Sequence, residues 1–437
     1  MKIRFSVQAF LVPSMILWWI GMVHGAETSV LDVESAVSEA LTNQPAIAAA
    51  IELEKAAVEG DRAALAALLP KLSASYAYTR FKDAPYAVFG MNHVPVGKQD
   101  RFSWDVSAIQ PLFTGFALST RKKMAALDVD IQKIRTEQAH LDVAHQARVA
   151  WYRLVLAERA VAVVREEVAQ LDAHVLDAQR FFEQGVISFN DLLKAKVGLA
   201  HAKQGMVQAQ ADRNLAAASL NVAIGRTVDQ PVRVAGLPDS LPVLPALGTL
   251  LDQAQVYRPE LKAMRLTYEK AGLAVQAARA PAYPELSMIG RYERLGDNVA
   301  ADHNEFGNDN NLSLSLQARW TFFEWGKTRD EVRKAMHEQA AYERRWQGVK
   351  DSVALEVVEA WEAWRAAQEN CKTAQEARIQ AVENFRITNL RFQQGAATST
   401  DVLDARSYLS RAELDDDRAI VGVFLAEANL KRAIGQR

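Results

Sequence analysis

Two stretches of this chain spell nearly the same turn. Near the C-terminus stands Gly395-Ala-Ala-Thr-Ser-Thr-Asp401-Val-Leu-Asp404-Ala, and about 210 residues earlier stands Gly185-Val-Ile-Ser-Phe-Asn-Asp191-Leu-Leu-Lys-Ala. The flanks agree as well, with Arg180-Phe-Phe-Glu-Gln before Gly185 and Leu390-Arg-Phe-Gln-Gln before Gly395. In both, a long helical run reaches a glycine, which takes the left-handed backbone that ends helices, and a second helix opens at once. A turn copied so closely predicts a duplicated chain, and other signals recur at matching offsets.

The first copy begins with helical spacing from about Val30 to Leu69, interrupted by Pro45 and stopped by Pro70. Period-two patterning then predicts a β-hairpin over residues 72–112, its strands separated by a polar loop with Gly90, Asn92, Pro95 and Gly97. From Phe116 to Glu183 there is neither glycine (after Gly115) nor proline, which predicts a helix of roughly 100 Å. The turn at Gly185 and a helix to Ile224 complete the copy. Pro231, Pro238, Pro242 and Pro245 mark residues 226–248 as a linker. The second copy has a hairpin over 286–322, a long helix, the turn at Gly395 and a last helix. The predicted organisation is a first repeat over 26–225, the linker, and a second repeat over 249–437.

Lys2 and Arg4 precede an apolar run that ends at Val23-His-Gly25, small residues flanking a cleavage position, so residues 1–25 are predicted to be a signal peptide. A formal charge of -2 without a dense basic block argues against nucleic acid as a partner. The single Cys371 excludes an internal disulfide framework and reads as a packed helical residue. No phosphate loop, His-Glu-x-x-His motif or nucleophile with a base is present, so no catalytic residue, cofactor or metal is expected. Asp415-Asp-Asp417 reads as a solvated helix face.

Each predicted strand is about 9–11 residues, the length of a tilted membrane-spanning strand. Leu312, Leu314, Leu316, Ala318, Trp320 and Phe322 share one face; Ser313, Ser315, Gln317, Arg319 and Thr321 share the other. Trp104, Phe113, Trp320, Phe322, Phe323 and Trp325 fit membrane-interface aromatics. Four strands cannot close a barrel, and lipid tolerates no open strand edge, so the chain must oligomerise; three copies supply twelve strands. The fold class expected is mostly α with two β-hairpins, a duplicated helix–hairpin–helix–helix repeat. Its natural assembly is a trimeric twelve-stranded outer-membrane β-barrel continued by a long α-helical periplasmic tunnel, although helical repeats alone also allow a solid bundle. A periplasmic coiled-coil scaffold or adaptor without a pore is the alternative.

Leu-Pro-Lys-Leu-Ser and Tyr-Pro-Glu-Leu-Ser before the hairpins, Leu-Phe-Thr-Gly115 and Phe-Glu-Trp-Gly326 after them, and Thr400-Asp-Val-Leu-Asp-Ala405 stand in matching order over about residues 30–435. In this the chain resembles the outer-membrane efflux protein family of the TolC type. The resemblance implies a homotrimer in outer-membrane lipid, docked to a periplasmic adaptor and an inner-membrane transporter of RND or ABC type, and exporting drugs, metals or polypeptides. Asp401 and Asp404, three apart on one helix face, have two readings: first-turn charges favoured by the helix dipole, or, in a trimer, rings of carboxylates that select cations and raise one another's pKa. The resemblance favours the rings, and it gives Asp191, at the equivalent first-copy position, a part in holding the entrance closed. Where some relatives carry a Tyr and an Arg that lock the entrance, this chain has Phe392 and Ala397. Gly185, Val186, Ile187, Gly395, Ala396 and Ala397 are the expected adaptor contacts.

Overall fold

The computed structural model describes residues 30–238 and 240–437, and the predicted signal peptide lies outside them. Helix α1 (Val33–Asn43) opens where the Asp32 carboxylate accepts a hydrogen bond from the Ser35 N–H at 2.6 Å, and α2 (Pro45–Ala66) takes Pro45 as its first residue, where no N–H is needed. Strands β1 (Lys71–Arg80) and β4 (Asp100–Thr114) form the first hairpin, and a small hairpin of β2 (Tyr86–Phe89) and β3 (Asn92–Pro95) rises from the loop between them. Helices α3 (Ala117–Glu183) and α4 (Phe189–Ile224) follow. The order then repeats as α5 (Leu247–Tyr257), α6 (Pro259–Ala278), β5 (Glu285–Gly296), β6 (Asn310–Arg319), α7 (Lys327–Gln393) and α8 (Ser399–Ala433). Both α3 and α7 have 67 residues, about 100 Å at 1.5 Å per residue.

The two halves also solve their joints alike. Each hairpin hands over to its long helix through two left-handed residues, Gly115 and Phe116 (φ 58° and 69°) or Trp325 and Gly326 (φ 54° and 85°). At the other end of each half, the residue before a helix-starting proline caps a distant C-terminus. Gln44 Nε2 donates to the Val222 and Ala223 carbonyls, and Arg258 Nη1 donates to those of Arg432 and Ala433. Gly225 and Gly435 lie so close to the Asn43 and Tyr257 backbones that a Cβ would come within 2.9 Å of either.

All four long strands form one antiparallel sheet in the order β1-β4-β5-β6. Its register aligns Leu72 with Ala108, Ala74 with Val106, and Tyr76 with Trp104; across the next seams Val106 meets Tyr292 and Tyr292 meets Leu312. The result is one apolar face across four strands. The opposite face carries Ser73, Ser75, Asp105, Ser107, Arg291, Glu293, Ser313 and Gln317, tied by Ser75–Asp105 and Asn311–Glu293 hydrogen bonds. A bulge between Pro111 and Phe113 shifts the parity of β4, so that Phe113 pairs with Leu286 on the apolar face. Among the described residues the outer edges of β1 and β6 have no partner strand.

Three sequence expectations are corrected. Strand β6 ends at Arg319, short of Phe322, because its partner β5 begins at Glu285 opposite Arg319 and the preceding Pro284 has no N–H to continue the ladder. The loop of the first hairpin is not irregular throughout, since Tyr86–Pro95 pairs on itself. Asp415-Asp-Asp417 is not one solvated face: Asp415 is exposed, but Asp416 is 3% exposed and paired with Arg378 at 2.9 Å, and Asp417 pairs with Arg159 at 2.7 Å.

The two largest of four apolar clusters among the described residues hold the helices together. One gathers Trp151, Leu154, Leu220, Ile224 and Phe424 under α1; the other gathers Val357, Trp364, Val423 and Leu430 beside α5 and includes Cys371. The proline-rich segment is stitched into the first: Leu31 forms a parallel bridge with Val234, Val232 is buried, and Trp151 Nε1 donates to the Leu31 carbonyl at 2.8 Å. Arg432 joins α3 to α7 through Asp142 (2.9 Å) and Glu356 (2.6 Å). Trp151 is 1% exposed, so Trp151→Ala is expected to cost about 3–5 kcal/mol. The check is the denaturant midpoint of the detergent-solubilised protein, and an unchanged midpoint would contradict this packing.

Candidate functional site

At one end of the long helices the two turns lie side by side. Gly185 (φ 75°) and Gly395 (φ 74°) end α3 and α7 with the same pair of bonds: Gly185 N–H to the Phe182 carbonyl and Val186 N–H to that of Phe181, then Gly395 N–H to Phe392 and Ala396 N–H to Arg391. A Cβ added to Gly395 would lie 4.0 Å from the Val186 side chain, so the turns touch. Val186 and Ala396 are exposed, and Ile187 and Ala397 turn partly inward.

Each turn opens its next helix with a hydroxyl and a carboxylate three residues apart. Ser188 Oγ accepts the Asp191 N–H at 3.1 Å and donates to the Asp191 carboxylate at 2.7 Å. Thr398 does the same with Asp401 at 3.2 and 2.9 Å, and the Thr398 N–H adds a third bond to that carboxylate at 2.8 Å. This is a reciprocal capping box, and the Ser/Thr-x-x-Asp spacing already signalled it in the sequence. The Thr398 N–H first, and then its hydroxyl, hold the Asp401 carboxyl below its usual value. Within the protomer Asp401 is therefore pushed opposite to the direction that carboxylate crowding would impose.

Asp404 stands exposed one turn further along, and Val402 between the two acids is fully buried. The first-copy counterpart of Asp404 is Lys194, which donates to Thr400 Oγ1 on α8 at 3.1 Å and lies 3.9 Å from Asp191. Asp191 is half-buried. Phe392 points inside the protomer, 1% exposed, in a cluster with Ala178, Leu192, Ala195 and Val402. Its ring lies 5.5 Å from that of Phe181 and 4.5 Å from that of His174. Sequence reasoning singled out neither His174 nor the fully buried Arg406, because polar residues inside a long helix carry no positional signal of burial.

The sheet end carries aromatics at two levels. Near the loops, Trp104 packs edge-on to Tyr292 at 5.5 Å, and Tyr78 stacks on Phe102 at 4.8 Å. Near the helices, Phe113, Phe116 and Tyr283 pack edge to face, and Trp320, Phe322, Phe323 and Trp325 stand 58%, 81%, 62% and 89% exposed. From Trp104 to Phe113 is nine residue steps of β4, about 30 Å along the strand and about 23 Å along a barrel axis at the usual tilt. Between the levels Leu312, Leu314 and Leu316 are 78%, 76% and 66% exposed. Among the described residues no helix is long and apolar enough to cross a membrane.

The chain is similar in sequence and fold to known proteins. The chain is 26% identical to the alkaline protease secretion protein AprF of Pseudomonas aeruginosa, over 68% of this chain and 62% of AprF, so it spans less than two thirds of that relative. It is 23% identical to the outer membrane protein TolC of Vibrio cholerae, over 91% of this chain and 89% of that protein. The fold matches the solved CmeC outer membrane channel of Campylobacter jejuni with a TM-score of 0.80 and 16% identity, covering 92% of this chain and 85% of CmeC. The sequence pattern of the outer membrane efflux protein family matches residues 36–226 and 250–436. With both halves of the chain matched, it belongs to the outer membrane efflux protein family.

Proposed function

We propose that this chain is the outer-membrane exit duct of a tripartite efflux or type I secretion system. Three copies, each divided into repeats 26–225 and 249–437 around the linker 226–248, close a twelve-stranded barrel, and their helices continue it as a periplasmic tunnel. The observation that carries this reading is the sheet: one continuous apolar face, aromatics about 23 Å apart at its two levels, and two unpaired edges. Trp104 would sit at the outer interface, and Phe113, Trp320, Phe322, Phe323 and Trp325 at the periplasmic one, in contact with outer-membrane lipid. A periplasmic scaffold has no use for such a face.

The duct is passive and draws its energy from partners, an inner-membrane transporter of RND or ABC type and a periplasmic adaptor. Gly185, Val186, Ile187, Gly395, Ala396 and Ala397 form the adaptor contact, since the paired turns are exposed at the far end of the helices. The name of AprF, an alkaline protease secretion protein, favours polypeptide among the cargoes. At the same end, Asp401 and Asp404 form two acidic rings in the trimer and Asp191 lies beside them; Phe392 and Ala397 replace a hydrogen-bonded lock by packing.

Asp401 then has two duties, capping α8 and presenting charge, and Asp404 has only the second. Its cap contributes stability above the usual carboxylate range and loses it as the pH falls through the lowered Asp401 value. In planar bilayers the wild type is expected to pass cations in preference to chloride, and Asp401→Asn/Asp404→Asn to bring the permeability ratio close to one. Selectivity unchanged in the double variant would remove the acids from the filter. Photo-crosslinkers at positions 187 and 396 should capture the adaptor in cells with a working pump; no adduct at either would sink the docking assignment.

A further inference from the structure

Buried polar atoms without partners recur on α8 and on the turn-side end of α3. Among the described residues these include both ring nitrogens of His174, Oγ of Ser399 and of Ser410, Nε and Nη1 of Arg406, and Oδ1 of Asp416. His174 is the one whose ordinary titration lies near neutral pH. It is 4% exposed on α3, with its ring against Phe392 of α7 in the cluster that also holds Leu192 of α4 and Val402 of α8. A neutral imidazole has one donor and one acceptor, and neither has a partner among the described residues, so burying the ring costs both hydrogen bonds.

Each element of that cluster carries charged groups, of which Asp177 acts on the ring. On α3, Asp177 lies closest in effect, but Arg180 also pairs with it at 3.6 Å. Asp191 and Lys194 lie on α4, Arg378 and Arg391 on α7, and Asp401, Arg406 and Glu413 on α8. None bonds the ring. Burial first, offset only in part by Asp177, pushes the His174 pKa down to about 4.

We propose that His174 is an acid-sensitive latch: its protonation favours the state in which α7 and α8 part from α3 and α4 at the turn end and the ring meets water. The proposal rests on reading that end as the duct's entrance. The packed state binds fewer protons than the parted one, so its advantage is complete above the ordinary histidine value and shrinks as the pH falls toward the buried value. With a hydrated pKa of about 6.5, the parted state gains about tenfold at pH of about 5.5. Glu413 works the other way, because burial raises its pKa and acid then favours the packed state; Asp401 titrates lower still.

The test uses the full-length protein with Cys371→Ser and a single buried reporter, Val402→Cys or, separately, Leu192→Cys, labelled with a maleimide between pH 7.5 and 5.5. Rates are divided by those of the same reporter in a His174→Phe background, which cancels the reporter thiol's own titration. The ratio is expected to rise about tenfold on acidification, together with a rise in channel open probability that His174→Phe lacks. A ratio that stays flat for both reporters would overturn the latch. Labelling needs no conductance, so a protein that fails to conduct would count against the duct while the labelling ratio still decides the latch.

Discussion

Everything in this protomer follows from a sheet that cannot be satisfied alone. Its four strands present apolar side chains to one side and polar ones to the other, and β1 and β6 leave a row of unpaired N–H and C=O groups at each edge. In water the apolar face is a liability, and in lipid the edges are. Closure with further copies satisfies both conditions together. The parity shift at Pro111–Phe113 serves the same end, because without it Phe113 would turn to the polar side.

The far end of the molecule balances differently. Its turns are stitched by backbone bonds and capping hydroxyls, so each helix pair is locally firm. At this end lie a buried imidazole and two buried hydroxyls without partners among the described residues, and a fully buried Arg406 with one 3.3 Å bond to Glu413 and its guanidinium 5.7 Å from the Phe385 ring. Buried polar groups left unmet cost about 1–3 kcal/mol each. A seam built this way separates more readily than the apolar clusters around Trp151 and Val357.

Much of the architecture was legible in the sequence because it rests on periodicity and punctuation. The first long helix showed in the absence of glycine and proline and the second in a run broken only by Gly348, the strands in alternation, and the turns at Gly185 and Gly395 in their repetition. What escaped depends on contacts between distant residues. The end of β6 is set by where Pro284 stops its partner, and the burial of Asp416, Arg406 and His174 by neighbouring helices. The Ser188 cap and the Thr398/Asp401 capping box were within reach, since the spacing alone announces them. They give Asp401 a structural duty that the ring reading by itself leaves out.

The central claim is that the open edges of β1 and β6 meet between copies. The direct measurement is a disulfide scan: cysteines placed along β1 at positions 73, 75 and 77 and along β6 at 313, 315 and 317, oxidised in outer-membrane preparations in a Cys371→Ser background. The account predicts that one register of pairs yields covalent dimers and trimers and no larger species, with neighbouring registers silent. Oxidation that gives no intermolecular product in any register, from a protein extracted without detergent, would contradict it.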